Sequence, residues 1–140
     1  MTNIVKQAAR LGKKTLTRIF GERLIISTAE HYKNRSYLDG YASHTDARVR
    51  RDPKDAIGGM WDEIGQLQFQ FLKQMGLKPE HKMLDIGCGT LRGGRFFIRY
   101  LNTLNYTGID ISPACIDAAR TLVANENLED KAPTLILNES

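Results

Sequence analysis

The chain has 140 residues, enough for one domain with one hydrophobic core. Its 41% hydrophobic and 26% charged residues are typical of a globular protein, and no apolar stretch approaches the roughly 20 residues that a membrane-spanning helix needs. No apolar run follows the first basic residues, so no signal peptide is predicted. The two cysteines, Cys88 and Cys115, do not make a disulfide framework, which favours a reducing, cytoplasmic setting.

The net charge of +4 is unevenly distributed along the chain. Residues 1–55 hold twelve Lys/Arg and six Asp/Glu, whereas residues 56–140 hold eight and ten. This step indicates two regions with different roles: a basic, helical or irregular N-terminal extension over residues 1–57, and a domain over residues 58–140. The basic residues are spread out rather than clustered, so we do not expect a nucleic-acid partner.

The first half of the chain gives weaker signals than the second. Residues 3–20 have the spacing of a basic helix, which either packs on the domain or makes weak contact with an anionic membrane surface or a partner; the small residues of its apolar stripe favour packing. Residues 33–55 are rich in turn and cap formers, which predicts a linker or a loosely ordered lid. His31 and His44 have no cysteine or third histidine at ligand spacing, so no metal site is predicted.

From residue 60 to residue 75 apolar residues recur at helical spacing, which predicts a helix. Gly76 is placed to end this helix in the left-handed conformation, and Pro79 follows three residues later. Trp61 and Phe71 are expected in the hydrophobic core rather than in contact with a cofactor.

From residue 82 onward the pattern alternates between strands and helices. Strands are predicted at Lys82–Ile86, Tyr106–Asp110 and Thr134–Leu137, and helices at 91–101 and from Pro113 to about Asn125, the second capped by Ser112. The inward faces of the helices are expected to carry Phe97, Ile98, Leu101, Ile116, Ala119, Leu122 and Val123. The alternation predicts an α/β fold with a parallel sheet and right-handed crossovers.

A glycine-rich loop joins the first strand to the first helix, with Gly87 and Gly89 on either side of Cys88. A sharp turn and a ligand close to the backbone both require the absence of a Cβ atom. The helix that follows directs free N–H groups at electron-rich ligands. The dinucleotide fingerprint needs a third glycine where this chain has Arg92, so that match fails by one position. The glycine doublet after Arg92 still permits close packing of the helix against the strand.

Two carboxylates flank this loop. Asp85, two residues before Gly87, would repel a pyrophosphate and attract a cationic amino or sulfonium group. Asp110, 21 residues after Gly89, can accept hydrogen bonds from both hydroxyls of a ribose. Nicotinamide cofactors and S-adenosylmethionine both use an acid at the position of Asp110, so Asp110 does not discriminate between them. The displaced third glycine and Asp85 both argue against a nicotinamide cofactor.

Over about residues 58–140 the chain resembles the class I S-adenosylmethionine-dependent methyltransferase family. The motifs that carry the resemblance are Asp85-Ile86-Gly87-Cys88-Gly89-Thr90 and Gly108-Ile109-Asp110-Ile111-Ser112. Trp61–Gly65 and Leu91–Arg95 are similar to a bacterial subgroup of this family. The resemblance implies a Rossmann-like parallel sheet with flanking helices and S-adenosylmethionine as the cofactor.

The resemblance also implies cofactor-binding roles for seven residues. Gly87, Cys88 and Gly89 would line the methionine part, with Asp85 holding its amino group directly or through water. Asp110 would bind the ribose hydroxyls, Ile111 would pack against adenine, and Asn138 would lie at the adenine edge. Cys88 is interpreted as a small loop residue rather than a nucleophile, because no base stands beside it in the sequence. No catalytic residue is assigned.

The implied reaction is methyl transfer from S-adenosylmethionine to a small-molecule or glycan-type acceptor that the sequence does not identify. Two alternatives stay open: a non-catalytic fragment or binding module with a methyltransferase-like fold, and an NAD-binding domain. The family sheet has seven strands and only three are predicted here. We therefore expect a sheet truncated after the third strand, in a chain that supplies the cofactor half-site of a longer or split enzyme and lacks its C-terminal half.

Overall fold

The structure is a computed structural model that describes residues 28–138, with every side chain in that range except that of Ile57. Its contacts divide the chain into two compact units, Met1–Glu30 and His31–Ser140. The helix predicted over residues 3–20, and its predicted contact with the domain, a membrane surface or a partner, lie outside the described residues. The domain boundary between residues 57 and 58 stays a prediction.

The described elements are helices followed by alternating strands and helices. In chain order they are α1 (Thr28–Tyr32), α2 (Tyr37–Arg51), α3 (Trp61–Gln74), β1 (Met83–Ile86), α4 (Gly94–Tyr100), β2 (Tyr106–Asp110), α5 (Pro113–Asn125) and β3 (Thr134–Leu137), with short 3-10 helices at Asp55–Ile57 and Glu129–Lys131. Within residues 28–138, none of the helices has the length and hydropathy that crossing a bilayer requires.

The three strands form one parallel sheet in the order β1-β2-β3, which confirms the predicted Rossmann-like α/β architecture. Asp85 pairs with Gly108, and Asp110 pairs with Leu137 in the next strand. Because parallel strands end at the same edge of a sheet, Asp85 and Asp110 lie toward one edge, as binding residues do in open α/β sheets.

The hydrophobic core lies between one face of this sheet and helices α4 and α5. Six of the seven predicted inward residues are buried there, and Leu122 is partly buried against them. The alternation of side chains along each strand puts the other apolar set on the opposite face. On that face Leu84, Ile86 and Ile136 are 56%, 79% and 42% exposed, so residues 28–138 leave it largely uncovered.

Residues 33–55 were expected to form a linker or loosely ordered lid, and this expectation is wrong. They contain α2, a helix of 15 residues whose first turn is capped by Ser36. Val49 of this helix is buried in a second apolar cluster with Ala114 and Cys115 of α5. The spacing of apolar residues does not predict this helix, because its stability comes from tertiary contacts rather than from a long apolar stripe.

The helix predicted over residues 60–75 is confirmed as α3, and Gly76 follows it in the left-handed conformation with φ 95°. Trp61 is buried, as expected. Phe71 was expected in the core, but its side chain is 57% exposed. Phe69 takes the core position instead, packing against three aromatic rings of α4.

Candidate cofactor site

The loop after β1 turns at two glycines with positive φ, Gly87 at 76° and Gly89 at 55°. This left-handed conformation is unfavourable for residues that carry a Cβ. The loop is tied to β2, because the amides of Gly87 and Cys88 both donate to the Ile109 carbonyl, at 2.8 and 3.1 Å. A Cβ added at Gly87 would meet nothing within 4 Å. The loop therefore presents bare backbone to open space at the edge of the sheet.

Asp110 holds this loop from the end of β2. Its Oδ2 accepts a hydrogen bond from the Gly89 amide and its Oδ1 accepts one from the Ser112 amide, each at 2.9 Å. The backbone amide of Asn138 donates to the backbone carbonyl of Asp110 at 2.9 Å, which links the end of β3 to the same network. A carboxylate has about four lone-pair sites, so about two remain on Asp110 for a ligand.

Asp85 lies on β1 in the neighbouring strand. The Tyr106 hydroxyl donates to Asp85 Oδ2 at 2.7 Å. Burial raises the pKa of Asp85, the hydrogen bond from Tyr106 lowers it, and the charge of Asp110 raises it again. Two nearby carboxylates, one of them largely desolvated, favour a cationic group in a bound ligand.

A cavity of about 360 Å³, which we call the cofactor cleft, opens over the loop. Four of the predicted residues line it: Asp85, Gly87, Cys88 and Gly89. The other three predicted residues, Asp110, Ile111 and Asn138, are not among its lining residues. They follow along the ends of β2 and β3, where Ile111 is half-buried.

Seven residues that line the cofactor cleft were not predicted as site residues, and they include Gln68 and Phe71 of α3 and Arg92 of the loop. The sequence held one usable signal, because Gln68 is a polar residue within the otherwise apolar stripe of its helix. The sequence pattern identified Arg92 only as the residue that breaks the dinucleotide fingerprint, and not as a lining residue. Its Nη1 donates to the Gly59 carbonyl at 3.4 Å.

Glycines allow α3 and α4 to approach the site closely. A Cβ added at Gly65 of α3 would overlap the backbone carbonyl oxygen of Arg92 in the loop. A Cβ added at Gly94, in the glycine doublet, would overlap the Tyr106 hydroxyl on β2 and the Leu91 side chain. The doublet thus permits the close contact of helix and strand that its position predicts.

The Cys88 thiol is buried beside the two carboxylates, with 7% of the residue exposed. Burial, followed by the charges of Asp85 and Asp110, raises its pKa to about 12. The thiol is therefore protonated at neutral pH, and the thiolate is the nucleophilic form of cysteine. This environment suits a small loop residue and not a nucleophile.

The histidines near the start of the described chain form a separate cluster. The rings of His31 and His44 pack edge to face with centroids 5.4 Å apart, and His31 Nδ1 lies 2.9 Å from the Ser43 hydroxyl. Within residues 28–138, no group of three or more His, Cys, Asp or Glu side chains is arranged to hold a metal ion.

Comparison with known proteins gives three likenesses. Residues 84–139 match the family model described as a methyltransferase domain. The chain is 40% identical over 50 residues to phosphoethanolamine N-methyltransferase 1 of Arabidopsis thaliana; this stretch is 36% of the chain and 10% of that protein. A solved structure, the YcgJ protein of Bacillus subtilis, aligns with a TM-score of 0.44 and 19% identity, covering 52% of this chain and 30% of that one.

The match to the family model covers nearly all of the candidate site. It includes Asp85, the glycine loop, Asp110 and the three strand ends that carry them. The matched stretch of 50 residues spans only about 10% of the length of the Arabidopsis relative, so the likeness to that protein concerns this stretch alone. Residues 84–139, which carry these elements, are thus similar to a methyltransferase domain.

Proposed function

We propose that this chain binds S-adenosylmethionine at the carboxyl ends of β1 and β2 and serves as the cofactor half-site of a methyltransferase with a small-molecule or glycan-type acceptor. The observation that carries the proposal is the pair of amide hydrogen bonds to Asp110, one on each carboxylate oxygen. They fix the carboxylate and leave each oxygen with acceptor capacity, as a ribose with two neighbouring hydroxyls requires.

The residues of the site fit this cofactor at its other end as well. Asp85 lines the cofactor cleft as an acceptor for the cationic amino group. Arg92 lines the same cleft and supplies a cation for the carboxylate of the methionine part. Gly87 leaves open the space that a Cβ would fill. The cleft thus offers opposite charges to the two charged groups of an amino acid.

When bound, S-adenosylmethionine supplies a methyl group whose bond to the sulfonium sulfur breaks as a lone pair of the acceptor forms the new bond. The residues described here contribute orientation, since they hold the two ends of the cofactor at fixed points of the sheet edge. We assign no catalytic base. We further propose a reducing, cytoplasmic setting, which the free, buried thiols of Cys88 and Cys115 support.

The test is calorimetric titration of the chain with S-adenosylhomocysteine and, separately, with NAD. We expect saturable binding of S-adenosylhomocysteine only, and Asp110→Ala should weaken it by about tenfold or more because charge-assisted hydrogen bonds to the ribose are lost. Asp117→Ala, at an exposed residue of α5, is the matched control and should bind like the unmodified chain.

The outcomes separate the alternatives. Preference for NAD would overturn the proposal in favour of a dinucleotide site. Binding of neither ligand by a folded chain would overturn it in favour of a non-catalytic module. Thermal unfolding of each variant, followed by circular dichroism, shows whether a loss of binding arises from a loss of fold, since Asp110 also holds two backbone amides.

A further inference from the structure

Tyr106 brings a buried hydroxyl to the candidate site from the first position of β2. The residue is 2% exposed and belongs to the core between the sheet and its helices. A tyrosine hydroxyl that is buried usually finds a hydrogen-bond partner. Here the partner is Asp85, whose Oδ2 accepts the bond at 2.7 Å. The core residue is therefore connected to a carboxylate that lines the cofactor cleft.

The register of the sheet explains why Tyr106 is the residue that reaches Asp85. Tyr106 pairs with Met83, and Asp85 pairs with Gly108. Because side chains alternate along a strand, Met83, Asp85 and Tyr106 share one face of the sheet. Gly108 has no side chain, and a Cβ added there would lie 3.0 Å from the Cys88 side chain. The strand position directly beside Asp85 thus offers no donor, and Tyr106 supplies one from the adjacent pair.

Helix α4 encloses the Tyr106 hydroxyl. A Cβ added at Gly94, the first residue of this helix, would overlap the hydroxyl and the side chain of Leu91. Leu91 is itself fully buried. Because Gly94 has no Cβ, the first turn of α4 packs directly over the hydroxyl. Tight packing on this side limits the positions that the hydroxyl can take, so its bond to Asp85 has a defined geometry.

The hydrogen bond also acts on the charge of Asp85. Burial and the charge of Asp110 both raise the pKa of Asp85, and the bond from Tyr106 is the one cause that lowers it. Burial first, and then the charge of Asp85, raise the pKa of Tyr106 well above its ordinary value of 10.0, so the hydroxyl remains a donor at neutral pH. A carboxylate has about four lone-pair sites, so Asp85 keeps acceptor capacity for a ligand.

We propose that Tyr106 is a positioning and specificity-determining residue of the cofactor cleft, whose hydroxyl holds the Asp85 carboxylate for the cationic amino group of the ligand. This inference rests on the proposed function and adds that recognition of the amino-acid end depends on a residue outside the cleft lining. Tyr106 is not among the lining residues, so its effect passes through Asp85. Its loss should affect ligands that carry the amino group and spare ligands that lack it.

A pair of ligands separates this role from a purely structural one. S-adenosylhomocysteine carries the amino-acid end, whereas 5′-methylthioadenosine has the adenosine and the thioether sulfur but neither the amino group nor the carboxylate. We would titrate the full chain and Tyr106→Phe with each ligand by calorimetry. We expect the variant to bind S-adenosylhomocysteine about tenfold more weakly, because a hydrogen bond to a charged group is lost, and to bind 5′-methylthioadenosine unchanged. Equal weakening of both ligands would overturn the proposal, as would no weakening of S-adenosylhomocysteine.

Two further variants test whether Tyr106 acts through Asp85. Tyr100→Phe is the matched control, because Tyr100 is a partly buried tyrosine whose hydroxyl donates to the Leu77 carbonyl at 3.1 Å, away from the cleft lining. It should bind both ligands like the unmodified chain. In an Asp85→Asn background, Tyr106→Phe should have little further effect on S-adenosylhomocysteine. Losses that add in the double variant would overturn the proposal, since residues that act as a unit are not additive.

A measurement without ligand separates this inference from the proposed function. Asp110, Cys88 and Arg92 lie near Asp85 in every variant, so a change in its titration reports on the missing hydroxyl. Carboxyl ¹³C resonances of the free chain should show Asp85 titrating at higher pH in Tyr106→Phe and unchanged in Tyr100→Phe. If the unmodified chain bound neither ligand, the proposed function would be overturned. An unchanged Asp85 titration in Tyr106→Phe would overturn the role of Tyr106 by itself.

Discussion

The Ser112 hydroxyl donates a hydrogen bond to Asp46 Oδ1, although the two residues are 66 positions apart in the chain. The same oxygen accepts a bond from the Ala114 amide at 3.2 Å, so a side chain of α2 caps the first turn of α5. The Ser112 amide in turn donates to Asp110. Helix α2 therefore supports the turn that holds Asp110 in place.

Replacement of Asp46 should weaken both the fold and the cofactor site. Asp46→Ala leaves the Ser112 hydroxyl and the Ala114 amide without their shared acceptor, and we expect the free energy of unfolding to fall by about 1–3 kcal/mol. Urea unfolding measures this change, and calorimetry should show weaker binding of S-adenosylhomocysteine. If Asp117→Ala, at an exposed residue of α5, lowered stability equally, the capping role of Asp46 would be contradicted.

Gly65 sets the distance between α3 and the loop. Glycine to alanine inside a helix normally stabilises by about 0.5–1 kcal/mol. Here the added Cβ would overlap the Arg92 carbonyl oxygen, part of the backbone, and overpacking costs about 1–3 kcal/mol. We therefore expect Gly65→Ala to lower the denaturation midpoint, whereas Gln66→Ala at the exposed neighbouring position should not. A Gly65→Ala chain with raised stability would show that the helix moves away without cost.

The raised pKa of Asp85 predicts a conflict between stability and binding. Because burial raises this pKa above its ordinary value of 3.8, the ionised side chain destabilises the fold above the raised pKa, and the cost disappears as the pH falls below it. Asp85→Asn should therefore raise the melting temperature at neutral pH and weaken S-adenosylhomocysteine binding. The gain in melting temperature should shrink toward pH 3.8. A gain that stays constant with pH would rule out this origin.

Both thiols should resist modification in the folded chain. Burial is the main cause that raises the pKa of Cys88 to about 12 and that of Cys115 to about 11, from an ordinary value of 9.0. The thiolate population at a given pH is then lower by about a hundredfold or more, and alkylation by iodoacetamide should slow accordingly. Mass spectrometry should find both sites unmodified until denaturant is added. Rapid alkylation of either cysteine under native conditions would contradict the buried placement.

The strands and α5 could be predicted because their signals are local. Ser112 and Pro113 mark the start of α5 through local preferences for the first positions of a helix. The Ser112 side chain accepts a hydrogen bond from the Cys115 backbone amide, as expected of an N-cap residue. The residue ranges of β2 and β3 agree with the prediction. The glycine loop and its two acids were found from spacing alone, since the end of a parallel strand fixes where such side chains lie.

The errors arose where a position depends on distant residues. The helix that carries Asp46 has little apolar periodicity, and its partner Ser112 is 66 residues away. Phe71 follows the same apolar spacing as its neighbours, and only the placement of α3 beside the loop shows that it lines a cleft. Spacing along one helix identifies its apolar stripe but does not tell which part of that stripe borders a cavity.

The bond from Asp46 to Ser112 also has a kinetic consequence. Closing a loop of this length costs chain entropy before any contact is gained, and contacts distant in sequence slow folding. The Thr90 hydroxyl and the Pro53 carbonyl, 37 residues apart, impose a second such closure on the same region. We therefore expect the parallel sheet and its helices to assemble first, and α2 to support the glycine loop late in folding.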